Sequence, residues 1–217
     1  MTFSGFGRGA VTFFNDLASN NSRDWWHANR TRYDDEVRQP LEDLLQDLAT
    51  EFGEAKVFRP NRDTRFSADK SPYKTNAAAV ASEGNGTSLY LSFSAEGLHV
   101  GGGAYHLARD QLARYRAAVA DDKRGATLEK IAADLRAAKA DVTGRTALKT
   151  APRGFSPDHA RIDLLRQDGL IGIWAHPPRA WLYTKQAVDR VADGWRRLAP
   201  LNAWMQANVG PTEQPYR

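Results

Sequence analysis

Between residues 59 and 74 the chain places Arg59, Arg62, Arg65, Lys70 and Lys74 among Asp63, Ser67, Asp69 and Ser71, five cations in sixteen positions. A guanidinium fork matches a phosphate or carboxylate with two parallel hydrogen bonds, and a lysine adds a compact point charge. The cluster therefore has the chemistry of an anion site. Read as extended chain, residues 63–66 put Asp63 and Arg65 on one side and Thr64 and Phe66 on the other. Burial of Phe66 would turn Asp63 and Arg65 away from the core. The Ser71-Pro72 step forces the following chain into an extended or turn path along which Lys70 and Lys74 can converge on them. The same residues have a second reading, in which Asp63 and Asp69 pair with Arg62, Arg65 or Lys70 and brace an irregular loop without any ligand.

A second polar cluster spans residues 149–161, KTAPRGFSPDHAR, where Pro152 and Gly154 shape a turn and Asp158-His159 precede a short helix. Arg153 is a further candidate anion ligand. His159 is the candidate general acid/base, because an imidazole titrates near neutrality, and Asp69 is the second candidate for that role. The competing reading makes Ser156 or Asp158 a helix cap and leaves His159 exposed or bonded to backbone. The histidines, His27, His99, His106, His159 and His176, include no pair at the three- or four-residue spacing of a shared helix face. Asp63, Asp69 and Asp158 could offer oxygen ligands, but the neighbouring arginines repel a cation. No metal and no cofactor is expected.

Other suggestive features have simpler explanations. Gly101-Gly102-Gly103 lacks the spacing of either glycine-rich phosphate loop and reads as a strand end packed closely against a neighbour. Trp25, Trp26, Trp174, Trp181, Trp195 and Trp204 sit among apolar residues and read as core anchors. Arg109, Arg114, Arg116, Lys123 and Arg124, mixed with Asp110, Asp121 and Asp122, read as a solvated helix face.

The elements that must position these groups follow from periodicity. Val11, Phe13, Phe14 and Leu17 recur at helical spacing over 10–18, and Asn20, Asn21 and Ser22 offer a break and a new N-cap. Trp25, Trp26, Ala28 and Tyr33 populate a second helix. Pro40 opens a third, with Leu41, Leu44, Leu45 and Leu48 on one face and a stop at Gly53. The period then changes to two. A short run at Val57-Phe58 is broken by Pro60, and strands are expected over 77–81, 88–93 and 98–102, with turns at 84–86 and 96–97. Leu89, Leu91 and Phe93 should face the core. Helices over 109–120, 126–140 and 162–165 follow, then short strands over 170–174 and 181–184, a helix from Lys185 onward and a tail over 210–217. Helices segregated from a mid-chain antiparallel meander define an α+β fold, and no internal repeat or linker divides it, so a single domain is expected.

Composition limits the function classes. The chain has 217 residues, 41% of them hydrophobic and 26% charged, close to ordinary globular averages, so neither disorder nor a membrane protein is indicated. Thirty Lys and Arg against 26 Asp and Glu leave a net charge of only +4, too small to imply nucleic acid by itself. There is no cysteine, so disulfides, thiolate metal sites and cysteine nucleophiles are excluded together. The absence of a basic start and of a long apolar run predicts neither a secretion signal nor a membrane span, and a cytoplasmic location is expected.

Three segments, NNSRDWW at 20–26, RDTRFSADKSPYKT at 62–75 and PRGF at 152–155, together resemble the bacterial domain-of-unknown-function family 2461. The resemblance spans most of the chain, with the Gly101–Gly103 turn and Asp158-His159 in the family's order. It implies a shared fold and carries no established activity. A histidine often follows the YKT motif in that family and a proline often follows the DH pair, where this chain has Asn76 and Ala160. Asn76 can donate and accept hydrogen bonds but cannot shuttle a proton near neutrality.

The leading functional expectation is a domain that binds an anionic small molecule through Arg62, Asp63, Arg65, Lys70, Lys74 and Arg153. In an enzymatic version His159 or Asp69 moves the proton. One alternative is nucleic-acid binding on the same basic surface, with Tyr73 or Phe155 stacking on bases. The other is a protein-interaction module whose charged network is purely structural.

Overall fold

The structure is a computed structural model that describes residues 2–65, 68–82 and 86–213. Helix α1 (Arg8–Ser19) buries Ala10, Phe13, Phe14 and Leu17 along one face. The Ser22 hydroxyl accepts the Trp25 N–H at 3.3 Å and starts α2 (Arg23–Tyr33), as the Asn-Asn-Ser break suggests. The next boundary differs from expectation. A π-helical turn over Asp34–Arg38 joins α2 to α3 (Gln39–Phe52), so 23–52 is one unbroken helical run. The wide turn lies immediately ahead of Pro40, whose ring and missing N–H leave the Glu36 carbonyl without its helical donor. Helix α3 buries Leu41, Leu44, Leu45 and Leu48 and stops at Gly53, which takes a positive φ of 79°.

Strands β1 (Ala55–Val57), β2 (Asn76–Ser82), β3 (Ser88–Ser94), β4 (Gly97–Ala104), β5 (Asp141–Thr143) and β6 (Leu170–His176) form one sheet in the order β1-β2-β3-β4-β6-β5. β1 pairs antiparallel with β2, Lys56 opposite Val80, and β5 pairs antiparallel with β6, Val142 opposite Gly172. The fold is α+β, with helices before, within and after an antiparallel sheet. Leu89, Leu91 and Phe93 are all buried, as their alternation requires. Of the turn expected at 84–86, Gly84 and Asn85 lie outside the described residues.

Two elements correct the sequence reading. β5 was not anticipated, being only three residues long. Residues 180–183 form a 3-10 helix instead of a strand, with the Leu182 N–H donating to Arg179 O at 2.9 Å and the Thr184 N–H to Trp181 O at 3.1 Å. Adjacent Trp181 and Leu182 are both buried. A strand would have sent them to opposite faces, whereas a tight helical turn lets both face inward.

Contacts divide the chain into two compact units, Met1–Ala81 with Tyr90–Val100 and Ala175–Asp193, and Ser82–Leu89 with Gly101–Trp174 and Gly194–Arg217. The first is organised by aromatic rings. Phe6 stacks on Phe93 at 4.3 Å, Phe3 meets Phe6 edge-on at 5.2 Å, and Phe13 touches Tyr33 at 5.6 Å. Gly5, one of the glycines that interrupt the N-terminus, serves this packing. Gly5 has a φ of 127°, and a side chain there would collide with the Tyr183 backbone. The Phe6 N–H donates to Leu182 O at 3.1 Å, which holds the N-terminal segment down.

The second unit contains α4 (Arg109–Ala120), α5 (Asp122–Ala137), α6 (Ile162–Leu165) and the later part of α7 (Gln186–Asn208). Arg109, Asp122, Lys123 and Arg124 are exposed, the solvated face that the sequence suggests, but Arg114, Arg116 and Asp110 are tied to other segments. Arg161 donates to Val119 O at 2.7 Å and to the next two carbonyls at 3.3 Å, occupying the acceptors that α4 leaves open at its end. Arg116 donates to Leu165 O at 3.2 Å, and the buried Tyr115 hydroxyl to Leu164 O at 3.0 Å. Arg114 holds Val209 O and Pro211 O, both at 2.6 Å, and Asp110 accepts the Thr212 hydroxyl at 2.8 Å and the Glu213 N–H at 2.9 Å. The tail expected from 210 is thus tied to α4 as far as Glu213, and 214–217 lie outside the described residues.

The Glu213 N–H, helped by the Thr212 hydroxyl, pulls the Asp110 carboxyl from 3.8 down to about 2. A depressed folded-state pKa contributes stability that is present above the ordinary value and lost as pH falls through the depressed one. The protection of the Glu213 amide, its exchange rate relative to the intrinsic rate at each pH, should hold down to about pH 3.8 and fall between there and about pH 2. Asp110→Asn should exchange faster than the native chain at neutral pH.

Candidate functional site

The cation-rich loop is closed by a short antiparallel pinch. Asn61 and Tyr73 form an isolated bridge, the Arg62 N–H donates to Pro72 O at 2.8 Å and the Lys74 N–H to Pro60 O at 2.9 Å. The pinch is anchored on α2. The Tyr73 ring is 5% exposed and stacks on Trp26 at 4.2 Å and 12°, and Trp26 in turn touches Tyr33 at 4.9 Å. Asn21, just before α2, donates its amide N–H to Tyr73 O at 2.9 Å and accepts the Tyr73 N–H at 3.1 Å. A side-chain amide thereby pairs both backbone groups of one loop residue, as a neighbouring strand would. The Asn-Asn-Ser-Arg-Asp-Trp-Trp and Tyr-Lys-Thr motifs, far apart in sequence, are two halves of one joint.

Within the loop most charges have local partners. Arg65 donates to both Asp63 oxygens, at 3.0 and 2.7 Å, and its N–H also reaches Asp63 at 3.2 Å. Asp63 and Arg65 do share a side, as the period of two predicts. They do so in a tight turn and not on a strand, because the Asp63 carboxylate captures the backbone two residues on. Phe66, expected to set the face, and Ser67 lie outside the described residues. Hydrogen bonds from Arg65 hold the Asp63 carboxyl well below the usual carboxylate range. Arg62 pairs with Asp69 at 3.0 Å and reaches Tyr73 O at 3.3 Å. Asp69 also accepts the Ser71 N–H at 2.9 Å, and hydrogen bonding from Ser71 lowers its pKa. Lys70 donates to Thr64 O at 2.8 Å.

Lys74 differs from these. Its ammonium donates to Arg59 O at 3.1 Å and lies 5.5 Å from the Phe58 ring centre, and it forms no ion pair among the described residues. Desolvation lowers its pKa first, and repulsion from Arg59 and Arg62 adds to that. Neighbours in an antiparallel pair alternate faces. Tyr73 is buried on the inner side of the pinch, and although Asn61 opposite it is exposed, the alternation puts Arg62 and Lys74, both half-buried, together on the other, outer side. Among the described residues Arg59 forms no ion pair either, and the buried Arg62 Nε has no hydrogen-bond partner. The corner formed by Arg59, Arg62 and Lys74 has one carboxylate paired within it, Asp69. Arg59 belongs to the charged run but was not nominated as a ligand, and Asn21 was read only as part of a helix break. The signal for Asn21 was its place beside Trp26 and a polar loop with few backbone partners of its own.

The second cluster lies in the other compact unit. Gly154 takes a φ of 90°, and the Phe155 N–H donates to Pro152 O at 3.1 Å, the turn expected there. Arg153 is exposed and forms no ion pair among the described residues. His159 accepts the Arg161 N–H on Nδ1 at 3.0 Å, so its imidazole is engaged with backbone. The Ser156 hydroxyl accepts the Asp158 N–H at 3.2 Å, but α6 begins only at Ile162, and neither residue caps it. Asn76, where a family histidine often stands, donates from Nδ2 to the Ser92 hydroxyl at 2.8 Å.

Among the described residues no group of three or more His, Asp or Glu is placed to hold a metal ion, and no helix is long and apolar enough to cross a membrane. Gly101, Gly102 and Gly103 lie inside β4 and are buried. A Cβ on Gly102 would stand 2.6 Å from Ser88 O, and one on Gly103 would strike Leu170 O, so close strand packing accounts for the run.

Fold and loop together define an α+β protein whose cation-rich loop is pinned to a tryptophan on its second helix. The chain belongs to the DUF2461 family of conserved hypothetical proteins, whose sequence pattern matches residues 9–204. No match was found among the curated proteins or the solved structures.

Asn21→Ala removes both bonds to Tyr73 and should cost about 1–3 kcal/mol in urea unfolding, the penalty for leaving part-buried backbone groups unpaired. Arg65→Ala breaks an exposed pair and should leave the urea midpoint at the native value.

Proposed function

We propose that the protein binds a small molecule bearing a phosphate or carboxylate, held by Arg59, Arg62 and Lys74 on the outer face of the pinch. The observation that carries this reading is Lys74, a half-buried lysine set beside two arginines and paired with no carboxylate among the described residues. Like charges held together raise the energy of the empty site, and a ligand of opposite charge relieves that repulsion. Asp63, Arg65 and Lys70 then serve to shape the loop, and Asp69 orients the Arg62 guanidinium. The buried, stacked position of Tyr73 removes it from the nucleic-acid alternative, which would then rest on Phe155 alone.

A thermal-shift series with inorganic phosphate and a panel of phosphorylated and carboxylated metabolites tests the proposal. A ligand present at one hundred times its dissociation constant stabilises the fold by about 2.7 kcal/mol. The shift should vanish in Lys74→Gln and Arg59→Gln and persist in Arg65→Ala. A folded protein that shifts with no anion in the panel would refute the reading.

A further inference from the structure

We propose that Lys74 Nζ is a site of reversible covalent capture for an aldehyde that carries a phosphate or carboxylate, a deepening that rests on the anion site above. Three features of its surroundings carry this. The backbone of Lys74 is pinned by the bond from its N–H to Pro60 O, beside a Tyr73 held by Asn21, so the side chain starts from a fixed point. One N–H of the Nζ is engaged by Arg59 O at 3.1 Å, which orients the nitrogen and leaves its remaining positions for a partner. Arg62 shares the outer face and Arg59 adjoins it, so the anionic end of an aldehyde has guanidinium groups beside the nitrogen that its carbonyl would meet.

The electrostatics make the neutral, nucleophilic form more accessible than in a free lysine. The Phe58 ring, 5.5 Å away, favours the ammonium, but desolvation and the two guanidinium charges act the other way and prevail. A lysine beside other cations is activated in this manner for attack on carbonyl carbon. The other lysines near the site are placed differently. Lys70 is exposed and bonded to Thr64 O, and Lys56 is an exposed position of β1.

The step balances without any further reagent. The nitrogen lone pair of neutral Lys74 forms a bond to the aldehyde carbon while the C=O π pair moves to oxygen. A proton passes from nitrogen to that oxygen, giving a carbinolamine. The C–O bond then breaks, a second proton leaves nitrogen, and oxygen departs as water while nitrogen and carbon form the C=N bond. Hydrolysis reverses the sequence, and nothing is oxidised or reduced.

The test treats the full chain with pyridoxal 5′-phosphate, traps imines with borohydride, and follows the rate of labelling at each lysine by peptide mass spectrometry. Lys74 should label about tenfold ahead of Lys56, the gain that one charge-assisted hydrogen bond to the phosphate supplies. Pyridoxal without the phosphate should keep only the smaller preference that comes from the activated nitrogen, and Arg59→Gln with the phosphorylated probe should likewise fall well short of tenfold. Lys74→Arg keeps the charge and the Pro60 bond, and should fold by circular dichroism while losing the fast label. Lys74 labelling no faster than Lys56 overturns the covalent step. If inorganic phosphate still stabilises the protein in that case, the anion site survives alone, and if it does not, both fall. Equal preference with pyridoxal overturns the requirement for an anionic group.

Discussion

The structure around the charged loop depends on how the backbone of Tyr73 is paired. An irregular loop has no ladder to take up its N–H and C=O groups, and burying them unpaired costs free energy comparable to lost hydrogen bonds. Asn21 meets that constraint with one amide, taking the N–H and giving an N–H to the carbonyl. The stacked Trp26 ring covers the aromatic side chain, which removes a large apolar surface from water at the same point. With Tyr73 fixed in this way, the bonds from Arg62 to Pro72 and from Lys74 to Pro60 set which side chains face outward.

The arrangement also explains how so many cations coexist in a short loop. Asp63 and Asp69 neutralise Arg65 and Arg62, and both carboxylates additionally take backbone N–H groups, so each turns the chain as it pairs. Lys70 is spent on the Thr64 carbonyl. Bracing therefore accounts for the middle of the loop, and the unbalanced charge is left at its two ends, where Arg59 and Lys74 meet across the pinch. The two readings of the charged run apply to different residues within it.

The fold was largely legible because its elements carry strong periods. The apolar faces of α1 and α3, the alternation in β3 and the short α6 are local patterns that tertiary packing did not override. What escaped was decided by longer-range demands. Trp181 and Leu182 look like strand residues, yet both had to be buried, and a 3-10 turn allows it. The π-helical turn answers to Pro40, and Arg114 and Arg116 of α4 look solvent-facing until their carbonyl partners on residues 165, 209 and 211 are seen. At the candidate site the run 62–74 was visible as charge, and Asp63 and Arg65 were rightly placed on one side. Asn21 was missed because its partner lies fifty-two residues away, and no local rule connects a helix break to a distant tyrosine. His159 and Arg153 were legible as chemistry, but the fold sets them in a different compact unit from residues 62–74.

The most direct measurement is native-state hydrogen exchange at the Tyr73 and Lys74 amides, followed in denaturant well below the unfolding midpoint. If the Asn21 and Trp26 joint organises the loop, both amides should open only with the core, and their opening free energies should converge on those of α1 and α3. Exchange of Tyr73 and Lys74 at the rate of an unstructured loop, with α1 and α3 still protected, would contradict the account.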